Sequence, residues 1–182
     1  MMSLSDLELL SLIRDPNSRE KGFRFLIEMY QKRVYGLIRK MVIIHEDADD
    51  LTQITFIKAF KNIHKFQGNS SIFTWLYRIA TNESLNFLEK KKKRFFFNID
   101  DHEELMVNYI NTSPLISGDE IEKKLHRALL ALPDKQRLVF NLKYYEDLGY
   151  EDISNITGTS IGALKASYHH AVKKIKIELK DE

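Results

Sequence analysis

Seven glycines and three prolines are all that punctuate a chain of 182 residues. An all-β chain needs a turn signal roughly every 8–12 residues, so this scarcity of breakers points to helices. With 43% apolar and 30% charged residues the composition is globular, long enough for one medium or two small domains. The absence of cysteine removes a disulfide framework, a thiolate metal site and a Cys nucleophile together, and suits a reducing compartment. Residues 1–8 carry no basic run, and no apolar stretch approaches the ~18 residues of a membrane span. The expectation is a cytoplasmic protein without membrane insertion.

The net charge of +2 is uninformative, but its distribution is not. Residues 60–94 hold eight Lys/Arg against two acids, residues 99–122 hold seven acids and no Lys or Arg, and residues 159–177 hold four Lys and no acid. Two basic segments separated by an acidic one suggest two contacts with a polyanion joined by a solvated strap.

Hydrophobic spacing supplies the elements. Phe23, Ile27, Tyr30, Val34, Leu37, Ile38 and Met41 recur at threes and fours, which predicts a long amphipathic helix over residues 18–42. Glu46, Asp47, Asp49 and Asp50 open a second helix running to about residue 64, where carboxylates favour the positive end of the macrodipole. Its buried face is read as Thr52, Thr55, Phe56, Ala59, Phe60 and Ile63. Residues 65–71 contain Gly68 and two serines fit to cap a helix over residues 72–93 that buries Ile72, Trp75, Leu76 and Ile79. Residues 98–117 read as a linker, after which Ser117-Gly118-Asp119-Glu120 fits a capping box ahead of Ile121, Leu125, Leu129 and Leu132. Pro133-Asp134 starts the next helix, and a short helix over 149–156 meets the turn Thr157-Gly158-Thr159 before a long final helix capped by Ser160. That order is a helix-turn-helix pattern.

Three surfaces carry candidate chemistry. On the final helix Leu164, Tyr168, Ala171, Ile175 and Leu179 face inward, leaving Lys165, Ala166, His169, His170 and Lys173 outward, where a recognition helix meets base edges. A solvated amphipathic helix would share this pattern, but the turn and cap favour recognition. The helix from residue 72 carries a polar row Thr74, Arg78, Asn82, Asn86 and Lys90, extended by the run Lys90-Lys91-Lys92-Lys93-Arg94, suited to bases and phosphates. Phe66, Phe73, Trp75 and Tyr77 offer either a stacking surface for single-stranded bases or core, with core the preferred reading for Phe73 and Trp75. On the second helix Asp50, Gln53, Ile54, Ile57 and Lys61 form an outward stripe that fits a protein partner or, on periodicity alone, a neighbouring helix. No P-loop, GxSxG or HExxH string occurs, the acidic cluster lacks the glycine and closing glutamate of a calcium loop, and His169 and His170 point to different faces.

These strings resemble a known family. Residues 47–60, with Asp50-Leu51-Thr52-Gln53 and Phe56, look like the acidic Asp-Leu-x-Gln-x-x-Phe segment of sigma region two, and Phe73-Thr74-Trp75-Leu76 through Asn82 looks like the Thr-Trp-Leu-x-x-Ile-Ala-x-Asn signature that follows it. Leu132-Pro133-Asp134-Lys135-Gln136-Arg137, Tyr150-Glu151-Asp152-Ile153 and the Ser160-capped helix are similar to region four. The match is to the extracytoplasmic-function (group IV) sigma factors of the sigma-70 family, in order along nearly the whole chain.

The resemblance implies an all-α protein of two small helical domains: region 2 at residues 1–95, an acidic linker at 96–117 and a region 4 helix-turn-helix at 118–182. It implies a transcription initiation factor without catalytic activity or cofactor. Its expected partners are the RNA polymerase core at its clamp and flap regions, promoter DNA both duplex and melted, and an anti-sigma factor. Asp50, Gln53, Ile54, Ile57 and Lys61 would then meet the clamp coiled coil. Phe66, Gln67, Asn69 and Ser70 would capture an unpaired minus-ten base, with Arg78, Asn82, Asn86, Lys90, Lys91 and Arg94 on nearby strand and phosphates. Lys165, Ala166, Ser167, His169, His170 and Lys173 would read the minus-thirty-five element. Where the family often has Thr-Val-Lys-Ser-Arg, this chain has Ala163-Leu164-Lys165-Ala166-Ser167, so the usual base preference does not carry over. The rival reading is a free-standing helix-turn-helix repressor that binds duplex operators unaided.

Overall fold

A computed structural model describes residues 5–42, 44–94 and 120–180, and every regular element among them is helical. The chain opens with α1 (Asp6–Arg14), a helix the sequence reading missed. Ser5 caps it reciprocally: the Glu8 N–H donates to Ser5 Oγ at 3.3 Å, and the Ser5 N–H donates to Glu8 Oε2 at 2.8 Å. Leu9, Leu10 and Ile13 turn inward onto α2 (Arg19–Arg39), which answers with Phe23, Leu26, Val34, Leu37 and Ile38. The two helices approach so closely at Gly22 that a Cβ there would stand 2.8 Å from Leu12 Cβ.

The helix α3 (His45–Asn62) follows, and its last turn tightens into a 3₁₀ segment (Ile63–Lys65) where the expected helix ran on. Its inner face is Ala48, Leu51, Thr52, Thr55, Phe56 and Ala59. The two buried hydroxyls are satisfied locally, Thr52 donating to Ala48 O and Thr55 to Leu51 O, both at 2.7 Å. Phe60 corrects the expected face: it stays 37% exposed, edge-on to Phe23 at 5.0 Å and beneath the Arg19 guanidinium at 4.5 Å. Then α4 (Ile72–Arg94) buries Ile72, Leu76, Tyr77 and Ala80, with Trp75 and Ile79 half-buried.

The second unit consists of α5 (Glu120–Leu130), α6 (Asp134–Phe140) extended by a wide turn (Asn141–Tyr145), α7 (Tyr150–Thr157) and α8 (Ile161–Lys180). Gly158 ends α7 at φ 69°, the left-handed region that glycine enters freely, and its N–H donates to Ser154 O at 2.8 Å. Leu164, Ala171 and Ile175 face inward as their spacing required, and Ile121 does not: it is exposed. The expected capping box at residue 117 and the linker at 96–117 lie outside the described residues. Leu138, Val139, Leu142, Ile153, Ile156 and Leu164 belong to one buried cluster with Leu37, Ile38, Leu76 and Tyr77, and α6 and α7 pack onto α4. A smaller cluster around Leu129, Phe140, Ala171 and Ile175 holds α5, α6 and α8 together.

Candidate nucleic-acid interface

On α3 the side opposite the core presents Asp50, Gln53, Ile54, Ile57 and Lys61, all exposed. Ile54 and Ile57 retain 39% and 51% of their surface. Among the described residues no helix packs over them.

The loop before α4 is held from below. Phe66 is 5% exposed, its ring 5.3 Å from Trp75, and its carbonyl accepts from Arg14 Nη2 at 2.9 Å. This corrects Phe66 as an open stacking platform: burying an aromatic of this size is worth about 1.5–3 kcal/mol, and the ring is spent on the core. Gln67, Gly68 and Asn69 remain exposed above it, Gly68 at φ 79° and Asn69 Nδ2 donating to Gln67 Oε1 at 3.2 Å, with Ser70 half-exposed. Ser71 caps α4, accepting from the Thr74 N–H at 3.1 Å, while Asp6 of α1 accepts from the Ile72 N–H at 3.0 Å. Thr74 is buried against this cap and leaves the outward row.

The rest of the α4 row divides. Asn82, Asn86 and Lys90 are exposed. Arg78 projects outward but is engaged, donating through Nε at 3.0 Å and through Nη2 to the carbonyl of Asn155 near the end of α7. Lys91 pairs with Asp47 at 2.8 Å, Lys92 with Asp134 at 2.7 Å and Lys93 with Glu89 at 2.8 Å. The α4 backbone runs to Arg94.

On α8 the expected outward residues Lys165, Ala166, His169, His170 and Lys173 are all exposed, and Ser167 is half-exposed. Ser160 Oγ accepts from the Ala163 N–H at 3.4 Å, and the Lys165 ammonium lies 5.8 Å from the ring centroid of Tyr150. The helix therefore offers a basic face directly after a tight turn.

A set of residues that spacing did not single out joins the two units. Glu146, with a side chain only 10% exposed, accepts from the Tyr77 hydroxyl at 2.9 Å and lies 3.3 Å from Arg33 and 3.6 Å from Lys40. Arg137, buried, donates to Met41 O at 2.9 Å and Leu130 O at 3.3 Å, and Asn141 Nδ2 donates to Lys40 O at 3.3 Å. Side chains of the second unit thus satisfy the carbonyls that the end of α2 leaves open, where a cation is favoured. Burial, reinforced by the Glu146 carboxylate, pushes the Tyr77 hydroxyl far above the ordinary phenol range, and burial holds Arg137 below the usual guanidinium range.

Residues 26–94 match Sigma-70 region 2 and residues 122–175 match Sigma-70, region 4. The chain is 31% identical over 182 residues to the ECF RNA polymerase sigma-E factor of Haemophilus influenzae, covering 95% of this chain and 94% of that one. It is 27% identical to the ECF RNA polymerase sigma factor SigW of Bacillus subtilis, covering 89% and 91%. The sigma factor RpoE of Bartonella quintana, solved in complex with the anti-sigma factor NepR, shares the fold with a TM-score of 0.70 at 23% identity, over 89% of this chain and 99% of that one.

Proposed function

The chain belongs to the extracytoplasmic-function sigma factors of the sigma-70 family, and from that premise we propose how its two units divide the work of starting transcription. As a member of this family it associates with RNA polymerase and acts in transcription initiation at promoter DNA. Region 2, residues 1–95, docks on the polymerase core through Asp50, Gln53, Ile54, Ile57 and Lys61. Its loop residues Gln67, Asn69 and Ser70 hold an unpaired minus-ten base over the Phe66 floor. Arg78, Asn82, Asn86, Lys90, Lys91 and Arg94 follow the strand. Region 4, residues 118–182, sets α8 in the major groove of the minus-thirty-five element with Lys165, Ala166, Ser167, His169, His170 and Lys173.

One observation carries this reading: the same chain presents an exposed apolar pair, Ile54 and Ile57 beside Gln53, and a capped helix-turn-helix with a basic outer face. The first suits a protein and the second suits DNA. A repressor that binds operators unaided has no use for the first, and the family places the chain with polymerase. The protein supplies recognition and no chemistry of its own, works in the cytoplasm where polymerase is, and is restrained by an anti-sigma protein, as the Bartonella relative is bound by NepR. Among the described residues no helix is long and apolar enough to cross a membrane.

Run-off transcription with purified core on sheared genomic DNA, with transcript 5′ ends mapped, tests the reading. Discrete starts that require both core and this chain are expected. Replacing Gln53 and Ile57 together by Ala lowers core affinity by about 1–3 kcal/mol, the usual cost of truncating interface anchors, with helicity unchanged. Starts that do not depend on the chain, or core affinity indifferent to these residues, would overturn it.

A further inference from the structure

A cleft of about 410 Å³ opens where α1, the start of α2 and the 3₁₀ segment meet, lined by Ile13, Arg14, Pro16, Arg19, Ile63 and His64. Two of these side chains are guanidiniums, one is an imidazole, and none is an acid. Arg14 spends Nη2 on the Phe66 carbonyl at 2.9 Å and otherwise stays exposed, as does His64. Arg19 is fixed from beneath: Nη2 donates to Phe60 O at 3.0 Å, and the guanidinium lies 4.5 Å from the Phe60 ring centroid. Its Nε is buried with no hydrogen-bond partner. Among the described residues neither guanidinium is paired with a carboxylate. The adjacent acid, Asp15, turns back on its own turn, accepting from the Asn17 N–H at 3.0 Å and from the Ser18 hydroxyl at 2.9 Å. A cleft lined by one sign of charge over an apolar floor concentrates the field and draws an anion.

Its place says which anion. The helix α1 grips the minus-ten loop at both ends, Arg14 at Phe66 O and Asp6 at the Ile72 N–H, and His64 stands two residues before Phe66. A strand that follows the α4 row and gives up a base to Gln67 and Asn69 leaves the loop on the side where α1 and the 3₁₀ segment stand. Resting on the functional reading above, we propose that this cleft binds one backbone phosphate of the melted minus-ten strand, next to the captured base, through Arg14, Arg19 and His64. A guanidinium fork matches phosphate oxygens, and no acid or amide lines the cleft to discriminate base edges, so the contact positions the strand without reading it. Arg14 couples the two events, with one nitrogen on the loop carbonyl and its remaining donors at the cleft.

The test uses polymerase holoenzyme containing the full chain and a forked promoter whose single-stranded minus-ten segment carries one uncharged methylphosphonate linkage, moved step by step. At one linkage beside the captured base the wild-type holoenzyme is expected to lose about tenfold in affinity, as for a hydrogen bond to a charged group. In Arg19→Gln with His64→Gln the same linkage is expected to cost no more than about twofold, the non-additivity that marks a direct contact. With all phosphates intact, the salt slope of this variant is expected to be shallower by about 0.7, one single-strand phosphate. A change that only loosened α2 from Phe60 would weaken every fork alike and keep the wild-type sensitivity. The site is overturned by a scan without a sensitive linkage, by sensitivity that persists in the variant, or by inorganic phosphate that moves the His64 ring resonances of the free chain while no linkage matters. Failure of the functional reading looks different: wild-type holoenzyme would then hold the fork no better than core alone.

Discussion

The carboxylate of Asp6 accepts a hydrogen bond from the backbone N–H of Ile72 at 3.0 Å, so the first helix of the chain caps the fourth across 66 positions of sequence. Ser71 satisfies only one of the open donors at that helix start, and α4 is the helix that carries Arg78, Asn82 and Asn86. Removing a side-chain cap costs about 0.5–2 kcal/mol. Asp6→Ala is therefore expected to lower unfolding free energy by about 1 kcal/mol in urea titration, and Asp6→Asn, which keeps an acceptor, by less. Equal stability of all three proteins would assign Ile72 N–H to solvent.

Gly22 sets two effects against each other. In a helix interior Gly→Ala ordinarily gains about 0.5–1 kcal/mol from backbone entropy. Here the new Cβ would meet Leu12 Cβ at 2.8 Å and the Ile13 backbone nitrogen at 2.9 Å, and backbone cannot swing aside. Overpacking of this kind costs about 1–3 kcal/mol, so the clash wins. Gly22→Ala is expected to lower the melting temperature, while Gly36→Ala, with nothing within 4 Å of its new Cβ, is expected to raise it or leave it unchanged.

Periodicity made legible what depends on neighbours three and four residues away. The inward row Leu164, Ala171 and Ile175 and the outward Ile54 and Ile57 are where spacing put them, because a helix of 18 or 20 residues has few alternative faces. The turn at Gly158 was legible because its left-handed φ selects glycine. Arg78, Phe66 and Glu146 were not. A polar row looks the same whether water, phosphate or the Asn155 carbonyl faces it, and that carbonyl lies 77 residues away. Phe66 sat in a turn-forming string, and only the Trp75 ring beneath it shows that it is core. Glu146 follows an aromatic pair with no motif around it, and its meaning comes from Tyr77 and Arg33 on other helices. The helix α1 was overlooked although Ser5 and Glu8 spell its capping box.

The Tyr77–Glu146 contact predicts a pH dependence. An unfolded tyrosine ionises near pH 10. In the folded chain burial, with the Glu146 carboxylate adjacent, keeps the Tyr77 hydroxyl protonated to higher pH. The stability this contributes is complete below about pH 10 and is lost as pH rises beyond it, at up to about 1.4 kcal/mol per pH unit for one proton. Tyr30 and Tyr168 are shifted upward too, chiefly by burial, and share the slope. Tyr77→Phe is expected to flatten the alkaline fall in urea-derived stability measurably while leaving some of it in place; an unchanged slope would mean that the hydroxyl is solvated.

The outward face of α8 separates phosphate binding from base reading, and the two respond differently to salt. Each lysine that neutralises a phosphate contributes about −0.9 to the slope of log affinity against log salt. Lys165 and Lys173 are exposed on this face, Lys165 steadied over the Tyr150 ring. Replacing both by Ala in the polymerase holoenzyme is expected to make the slope for promoter duplex shallower by about 1.8, with weakening spread evenly over promoter sequences. His169 and His170 are exposed beside them, with ring centroids 6.1 Å apart, without the guanidinium that the family often places at the start of this helix. Their replacement by Gln is expected to leave the slope largely in place and to relax discrimination at one or two base pairs, by about 1–3 kcal/mol for a lost base contact. Competition binding over a randomised minus-thirty-five library, run at two salt concentrations, measures both quantities at once. A salt slope that ignores the lysines, with base preference unmoved by the histidine changes, would take α8 out of the groove.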